Sequence, residues 1–299
     1  MITGSTQILG VMGCPIEHSL SPVMHNAAIE VMRSVDADAL SPLNYVYLPF
    51  SVKPERLAAA IAGFSAIGVQ GFNVTIPHKQ AIIPFLSEVS AIAQAVGAVN
   101  TVYPTATGWG GTNTDVIGFL APLRAMGHDW SQTQAVILGN GGAARAVVAG
   151  CAELGVGQIQ VVGRNPEARQ AFLQSWAASA LAERLDSTLS VHGWEELPLL
   201  LPTATLLVNT TPVGMHPQVG ASPVSLDLLQ QLPTGAIAYD LIYTPRPTQF
   251  LRDAASVGAI ALDGLEMLVQ QGAAALELWL KRPVPIAVMR QALEDALSR

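Results

Sequence analysis

A glycine-rich loop at residues 139–144 constrains the fold more than any other feature of the sequence. It reads Gly139-Asn140-Gly141-Gly142-Ala143-Ala144 and lies between an apolar run, 135–138, and a helix-forming stretch. In such a strand–turn–helix unit the first glycine permits a tight turn, and the second lets the backbone approach a pyrophosphate. A small residue at Ala144 lets the helix pack closely on the strand. Unpaired N–H groups at the helix start favour phosphate, so the loop predicts a dinucleotide-binding unit.

Composition narrows the class of protein. The 299 residues favour two domains over one. Hydrophobic residues make up 50% of the sequence and charged residues 12%, which excludes a disordered chain. The formal net charge of −7 argues against a nucleic-acid surface.

The sequence also bears on membranes and compartment. The uncharged segments 57–78 and 197–226 are interrupted by glycine or proline, so we expect no membrane span. No basic segment followed by a long apolar one marks a secretory leader. Cys14 and Cys151 do not suggest a disulfide framework, so we expect a cytoplasmic protein with two buried thiols.

Short strands and helices alternate along the chain, which predicts an α/β fold. Before the glycine loop we expect strands at 8–12, 45–48, 71–74 and 98–103, and helices at 22–32, at 54–67 and from His78. From the loop onward we expect strands at 135–138, 159–162, 206–208, 237–240 and 260–262.

Two domains follow from this pattern. We predict a mostly parallel α/β substrate domain over 1–115 and a doubly wound Rossmann dinucleotide-binding domain over 116–264, with a cleft between them. The bend between domains is expected near 115–123. The helical segment 265–299 is expected to pack back on the first domain.

The end of the second Rossmann strand indicates which dinucleotide is bound. An acidic residue there would accept hydrogen bonds from a ribose 2′-hydroxyl. The sequence instead has Arg164 followed by Asn165. A guanidinium forks onto a 2′-phosphate, so NADP is favoured over NAD, the alternative for Arg164 being a solvated surface residue.

Polar residues before the glycine loop point to a small polar substrate. Ser19 and Ser21 share one side of an extended segment and could clamp a carboxylate, although Ser21 before Pro22 also reads as a simple helix cap. Asn73 and Thr75 share one face at a strand end.

Two charged residues stand out beside them. Lys79 falls in the first turn of a helix, where the dipole favours an acid, so we predict a functional role for it. His78 beside it is expected to be structural. Asp115 would orient the Lys79 ammonium or, alternatively, cap the next helix, and Asn100 lies in a further polar motif. The six histidines are scattered, so no metal site is predicted.

Together these motifs resemble the shikimate dehydrogenases, with the quinate/shikimate dehydrogenases as close relatives. The resemblance covers nearly the whole chain. It rests on Ser19-Leu20-Ser21-Pro22, Asn73-Val74-Thr75-Ile76-Pro77-His78-Lys79, Gly97-Ala98-Val99-Asn100-Thr101, Asn113-Thr114-Asp115, Gly139-Asn140-Gly141-Gly142-Ala143, Val208-Asn209-Thr210-Thr211-Pro212, Asp240-Leu241-Ile242-Tyr243, and Asp263-Gly264 with Gln271.

The resemblance implies reversible, NADPH-dependent reduction of 3-dehydroshikimate to shikimate in chorismate and aromatic amino acid biosynthesis. It implies that Ser19 and Ser21 hold the substrate carboxylate and that Lys79, beside Asp115, is the acid–base residue. Residues implied to bind the substrate's hydroxyls or line its pocket are Asn73, Thr75, Asn100, Asp115, Tyr243 and Gln271. Residues implied to contact the cofactor are Gly139, Asn140, Gly141, Gly142, Ala143, Arg164, Asn165, Asn209, Thr210, Leu241 and Gly264.

The sequence departs from the family pattern at two positions. Asn140 replaces the usual alanine of the glycine loop, and Asn165 replaces the usual threonine after the arginine. Lys79 either donates the proton or stays charged and stabilises the developing alkoxide, and the sequence leaves both open.

Two alternatives remain. The first is an enzyme that prefers quinate or NAD. The two small serines, Ser19 and Ser21, do not exclude quinate, whereas the lack of an acid near Arg164 argues against NAD. A nucleotide-sensing module without turnover could lose Lys79 or Asp115, and both are present. The only partner that we expect is the small-molecule substrate; the sequence is compatible with a homodimer but does not fix the oligomeric state.

Overall fold

The computed structural model describes residues 2–35 and 43–298. The chain forms two compact units. The first unit comprises Met1–Gly118 and Val269–Arg299, and the second comprises Phe119–Leu268. The two boundaries fall within helices, at the peptide bonds that follow Gly118 and Leu268.

The elements up to the first boundary alternate as the sequence pattern predicts. In chain order they are β1 (Gln7–Gly13), α1 (Ser21–Val35), β2 (Tyr45–Ser51), α2 (Leu57–Ala66), β3 (Gly71–Val74), α3 (His78–Ala81), β4 (Glu88–Val89), α4 (Ala91–Val96), β5 (Thr101–Thr105), β6 (Gly108–Thr112) and α5 (Asp115–Ala125). Their strands form one sheet in the order β2-β1-β3-β5-β6-β4. Pairings β1–β2, β1–β3 and β4–β6 are parallel, so the expectation of a mostly parallel sheet is confirmed.

Three expectations for this unit need correction. The strand expected at 98–103 begins only at Thr101, because residues 98–100 form the loop that leaves α4. Strands β4 and β6 were not expected, because β6 contains three glycines and β4 has two residues. The helix expected over 54–67 starts as a 3-10 turn at 54–56, before α2.

The remaining elements span residues 134–297. They are β7 (Gln134–Leu138), α6 (Gly142–Leu154), β8 (Gln158–Gly163), α7 (Pro166–Gln174), α8 (Ala182–Asp186), β9 (Leu189–Gly193), α9 (Leu197–Leu200), β10 (Leu206–Asn209), α10 (Leu226–Leu229), β11 (Ile237–Asp240), α11 (Gln249–Ser256), β12 (Ile260–Leu262), α12 (Leu265–Leu280) and α13 (Ile286–Leu297). The elements from β7 to β12 belong to the second unit, and they are followed by two helices whose residues from Val269 onward belong to the first unit. The five strands expected here are confirmed, and β9 is an addition.

The sheet of the second unit is parallel throughout, in the order β12-β11-β10-β7-β8-β9. This is the doubly wound order. From β7 the chain adds strands on one side as far as β9, then crosses back and adds β10 to β12 on the other side, so the strand order reverses between β7 and β10. Ligands of such sheets bind at the carboxyl ends of the strands beside that reversal. The glycine loop after β7 lies at this point. No helix in the described part of the chain is both long and apolar enough to cross a bilayer.

Helices from the end of the chain complete the core of the first unit. Helix α13 packs on α1. Trp279 of α12 lies over Gly71 of β3 and donates its indole N–H to the Val102 carbonyl at 2.9 Å. A methyl group on Gly71 would overlap the indole nitrogen, so this glycine is what lets α12 lie so close to the sheet.

An imidazole is buried in the same core. His25 of α1 stacks on Tyr47 with ring centres 4.0 Å apart, and its Nδ1 lies 2.8 Å from the Ser21 carbonyl oxygen. Burial lowers the pKa of His25 from its ordinary value of 6.5 to about 4. The folded protein therefore holds this ring neutral at a pH where the unfolded chain protonates it.

The contact between Gly71 and Trp279 gives a stability prediction. We expect Gly71→Ala to lower the free energy of unfolding by about 1–3 kcal/mol, because the indole must shift away from its hydrogen bond. Gly63→Ala is the matched control, since Gly63 lies within α2 and nothing lies within 4 Å of the added methyl. We expect it to be neutral or to stabilise by up to about 1 kcal/mol. Urea unfolding measures both, and an unchanged Gly71→Ala variant would contradict the packing described.

His25 gives a pH prediction with a definite sign. Its folded pKa lies below the unfolded one, so its stabilising contribution is complete above pH 6.5 and is lost as the pH falls to about 4. We expect the stability difference between wild type and His25→Phe to fall by roughly 3 kcal/mol between pH 7 and pH 4. Burial raises the pKa of Asp240 to about 6, an opposite effect that both proteins share and that cancels in the difference. A difference independent of pH would contradict the prediction.

Candidate active site

The glycine loop has the geometry that a pyrophosphate requires. Gly139 follows β7 with φ of +102°, and a methyl group there would lie 2.8 Å from the Thr210 hydroxyl. Helix α6 starts at Gly142 with Gly141 as its N-cap and no side-chain cap. Added methyl groups on Gly141 or Gly142 would meet nothing within 4 Å, so the first N–H groups of the helix are accessible. The loop therefore fits the phosphates of a dinucleotide.

The other predicted cofactor residues of the central strands lie around the same edge. Thr210 donates its hydroxyl to the Leu138 carbonyl at 2.7 Å, and Leu241 donates its N–H to the Asn209 carbonyl at 3.2 Å. A methyl group on Gly264 would overlap the Leu241 carbonyl oxygen, so these two backbones touch. The structure therefore brings Gly139, Asn209, Thr210, Leu241 and Gly264 into one neighbourhood.

A buried carboxylate that sequence reasoning missed organises this edge. Asp240 is fully buried at the end of β11 and accepts hydrogen bonds from the Asn209 amide at 3.0 Å and the Thr248 hydroxyl at 2.6 Å. It also accepts the Ile242 N–H at 3.1 Å. The signal was an acid at the end of the apolar strand 237–240. The Asn209 amide is consumed inside the protein, so Asn209 can offer the cofactor its backbone but not a free side chain.

Arg164 and Asn165 leave the sheet at the end of β8. The Arg164 guanidinium carbon lies 5.0 Å from the centre of the Trp194 indole ring. Asn165 accepts the Ala168 N–H at 2.8 Å and caps α7. The side chain of Arg164 is exposed and can meet a ligand, whereas the side-chain oxygen of Asn165 is used to cap α7. Trp194 was not singled out from the sequence.

The first unit holds the predicted catalytic pair. Lys79 Nζ lies 2.7 Å from Asp115 Oδ2, with side-chain exposures of 30% and 15%. His78 fixes the short helix α3 because its Nε2 lies 2.6 Å from the Val52 carbonyl oxygen, which confirms the structural interpretation of this histidine. Asp115 is the first residue of α5, and its backbone N–H donates to Asn113 Oδ1 at 3.0 Å. The cap at this helix start is therefore provided by Asn113, not by Asp115. The ion pair is therefore placed by anchors on both sides.

A chain of hydrogen bonds connects this ion pair to the core. Asn100 donates its amide N–H to Asp115 Oδ1 at 2.8 Å and, at 3.4 Å, to Gln271 Oε1. Its oxygen accepts the Thr114 N–H at 2.8 Å and the Thr101 hydroxyl at 2.9 Å. Asn100, Asp115 and Gln271 are thus brought together, 171 residues apart at the extremes.

The same chain corrects the expectation for Asn73. Its amide oxygen accepts the Tyr47 hydroxyl at 2.7 Å, and its nitrogen donates to the Thr101 hydroxyl and the Asn100 carbonyl, both at 3.1 Å. Asn73 is 6% exposed, so its amide is directed to the interior, not displayed beside Thr75. Tyr47 was not predicted, because nothing in residues 45–48 distinguishes a buried tyrosine with a partner from one that only packs.

The serine pair also differs from expectation. The segment is not extended, because Ser21 already belongs to α1 and Ser19 follows a turn closed by its N–H to the Ile16 carbonyl at 3.0 Å. The Ser19 hydroxyl accepts the Ser21 N–H at 3.4 Å, so Ser19, not Ser21, is the capping residue. Ser19 and Ser21 nevertheless both lie at the start of α1, with one residue between them.

The remaining two predicted substrate residues, Thr75 and Tyr243, belong to different units. Thr75 is half-buried just after β3, with its methyl group against Gly13. Tyr243 belongs to the second unit and follows β11, where burial raises its pKa. Among the described residues no group of three metal-binding side chains is found.

Comparisons with known proteins agree with this arrangement. The family model described as the shikimate dehydrogenase substrate binding domain matches residues 11–102, and that of the shikimate 5′-dehydrogenase C-terminal domain matches 264–294. The shikimate dehydrogenase (NADP(+)) of Gloeothece citriformis is 58% identical over 298 residues, covering 100% of this chain and 99% of the relative. That of Trichormus variabilis is 60% identical over 300 residues, with the same coverage of 100% and 99%.

A solved structure extends the agreement to three dimensions. The shikimate 5-dehydrogenase of Thermus thermophilus, in complex with NADP(H) and shikimate, is 34% identical and superposes with a TM-score of 0.82. The match covers 98% of this chain and 100% of that one. With full-length relatives at this identity, the chain belongs to the shikimate dehydrogenase family.

Proposed function

We propose that this protein catalyses the reversible, NADP-dependent reduction of 3-dehydroshikimate to shikimate, a step of aromatic amino acid biosynthesis. The observation that carries the proposal is the Lys79–Asp115 ion pair, held at 2.7 Å within the polar cluster of the first unit. A sensor without turnover would have no need of a partly exposed ammonium fixed in this way.

Reduction of a ketone needs hydride at the carbonyl carbon and a proton at its oxygen. NADPH supplies the hydride when it is bound. Lys79 either donates the proton to the carbonyl oxygen or stabilises the developing alkoxide with its positive charge. It can do so because its ammonium has N–H groups beyond the one that Asp115 accepts. Asp115 holds the ammonium through Oδ2 while Asn100 holds Asp115 through Oδ1, so the donor is oriented before substrate arrives.

The remaining polar residues of the first unit suit a hydroxylated carboxylic acid. We assign the substrate carboxylate to the Ser19 and Ser21 hydroxyls, and the substrate hydroxyl groups to Thr75, Asp115 and Gln271. Asn100 is 2% exposed and both ends of its amide are engaged, so we assign it the role of positioning Asp115 and Gln271. Asn73 supports the site without contacting the substrate, because its amide is engaged with Tyr47 and Thr101 in the interior. Tyr243 stays a predicted substrate residue.

The second unit fits NADP. The open glycine backbone at the start of α6 receives the pyrophosphate, and the exposed Arg164 at the end of β8 receives the 2′-phosphate. We further propose the domain division predicted from the sequence, the first unit for substrate and the second for cofactor. Location in the cytoplasm and assembly as a homodimer stay predictions.

A four-way rate assay tests the proposed reaction. Initial oxidation rates are measured with shikimate and with quinate, each with NADP⁺ and with NAD⁺. We expect the shikimate–NADP⁺ pair to give the highest kcat/KM. Quinate carries an extra hydroxyl on the carbon that bears its carboxylate, and a preference for quinate would move the assignment to that substrate. No turnover with any pair would reject the catalytic proposal.

Lys79→Ala tests the role of the ammonium. We expect kcat to fall by about 10²–10⁴-fold with little change in shikimate binding, because the proton donor is lost while the hydroxyl-binding residues remain. Lys53→Ala is the matched control, since Lys53 is exposed just after β2. Turnover close to that of the wild type in Lys79→Ala would remove this residue from the mechanism.

A further inference from the structure

Strand register brings an indole beside the arginine that follows β8. Strands β8 and β9 pair in parallel, and Gly163 lies opposite Gly193 at the last step of the ladder. The next residues along the two strands are Arg164 and Trp194. Their side chains leave the sheet side by side, and the guanidinium carbon lies 5.0 Å from the indole ring centre. This distance is within the range of a cation–π contact.

The indole is the fixed partner of the pair. Trp194 packs against the buried core of the second unit, whereas Arg164 is exposed. The loop that carries Trp194 is tied down by Glu196, whose carboxylate accepts the Gly193 N–H at 2.6 Å. The other oxygen of Glu196 lies 3.0 Å from His192 Nδ1, so this acid is engaged within its own loop.

The contact with the indole restricts Arg164 without using its hydrogen-bond donors. A cation–π contact is an attraction between the charge and the ring, so it consumes none of the guanidinium N–H groups. Within 2–35 and 43–298, no hydrogen-bond acceptor or ion-pair partner for the Arg164 guanidinium is found. An unrestrained arginine would give up considerable side-chain entropy on binding a phosphate, and one already held over an indole ring gives up less.

We propose that Trp194 is a specificity-determining positioning residue, which holds the Arg164 guanidinium in place for the 2′-phosphate of NADP. The inference rests on the proposed NADP-binding role of Arg164 and adds a residue to it. Trp194 does not itself touch the phosphate in this proposal. Its contribution is to pre-organise the arginine, so it affects binding of a 2′-phosphorylated cofactor and leaves NAD unaffected.

A double-mutant cycle on cofactor binding tests the proposal. Dissociation constants for NADP⁺ and NAD⁺ are measured by calorimetry for wild type, Arg164→Ala, Trp194→Leu and the double variant. We expect Arg164→Ala to weaken NADP⁺ binding roughly 10- to 100-fold, the scale of a lost charge-assisted hydrogen bond. We expect Trp194→Leu to weaken it about two- to five-fold, the scale of an exposed cation–π contact. Neither should change NAD⁺ binding, and the double variant should match Arg164→Ala alone.

Two further variants separate positioning from folding. Trp194→Phe keeps an aromatic face and is expected to recover most of the NADP⁺ affinity lost in Trp194→Leu. Trp130→Leu removes a buried indole elsewhere in the second unit and is expected to leave the NADP⁺/NAD⁺ affinity ratio unchanged. If Trp194→Leu weakens both cofactors equally, or weakens NADP⁺ further when Arg164 is already alanine, the indole acts only as packing and the proposal is overturned.

The outcome can be told apart from a failure of the proposed function. An unchanged affinity ratio in Arg164→Ala would show that this guanidinium does not read the phosphate, and would overturn the inference while leaving shikimate oxidation intact. A wild type without shikimate turnover would reject the enzyme assignment, whereas the binding cycle would still judge the role of Trp194.

Discussion

One continuous hydrogen-bond chain positions the Lys79 ammonium of the first unit. The Tyr47 hydroxyl donates to Asn73, whose amide donates to the Thr101 hydroxyl, which donates in turn to Asn100. Asn100 donates to one oxygen of Asp115, and the Lys79 ammonium donates to the other. Because buried polar groups are costly when unpaired, each member restricts the next, and the orientation of the ammonium is inherited from the core.

The second unit uses a similar pairing for a different purpose. A buried asparagine again donates to an aspartate, here Asn209 to Asp240, and the asparagine oxygen accepts the Thr211 N–H at 3.0 Å. Both residues stand at the ends of adjacent parallel strands. This aspartate carries no exposed charge, so its effect is on the loops that leave the strands. In the first unit the same pairing leaves one carboxylate oxygen for a lysine; in the second unit every contact is internal.

Local patterns made most of the fold predictable, and distant contacts account for what was missed. The glycine loop and the apolar runs of the second sheet are visible in the sequence, since each depends on a few adjacent residues. The orientation of Asn73 is not, because it is set by Tyr47, 26 residues earlier and two strands away. Alternation along the strand could not show that the Asn73 amide already has partners inside the protein. Strand β6 was missed because its glycines supply no periodic signal.

The two departures from the family pattern acquire a physical reading from the same reasoning. Asn165 replaces a threonine, and its side chain caps α7; both residue types serve as N-caps, so the exchange preserves the helix start. In the proposed NADP site, recognition of the 2′-phosphate then falls chiefly on Arg164. Asn140 replaces an alanine of the glycine loop, and its side chain lies against Gly163, where an added methyl would be 3.0 Å from its amide carbon. The Asn140 side chain therefore brings the glycine loop into contact with the end of the strand that precedes Arg164. A larger residue at position 163 would push the Asn140 side chain away from the strand end, so the close contact explains why a glycine precedes Arg164.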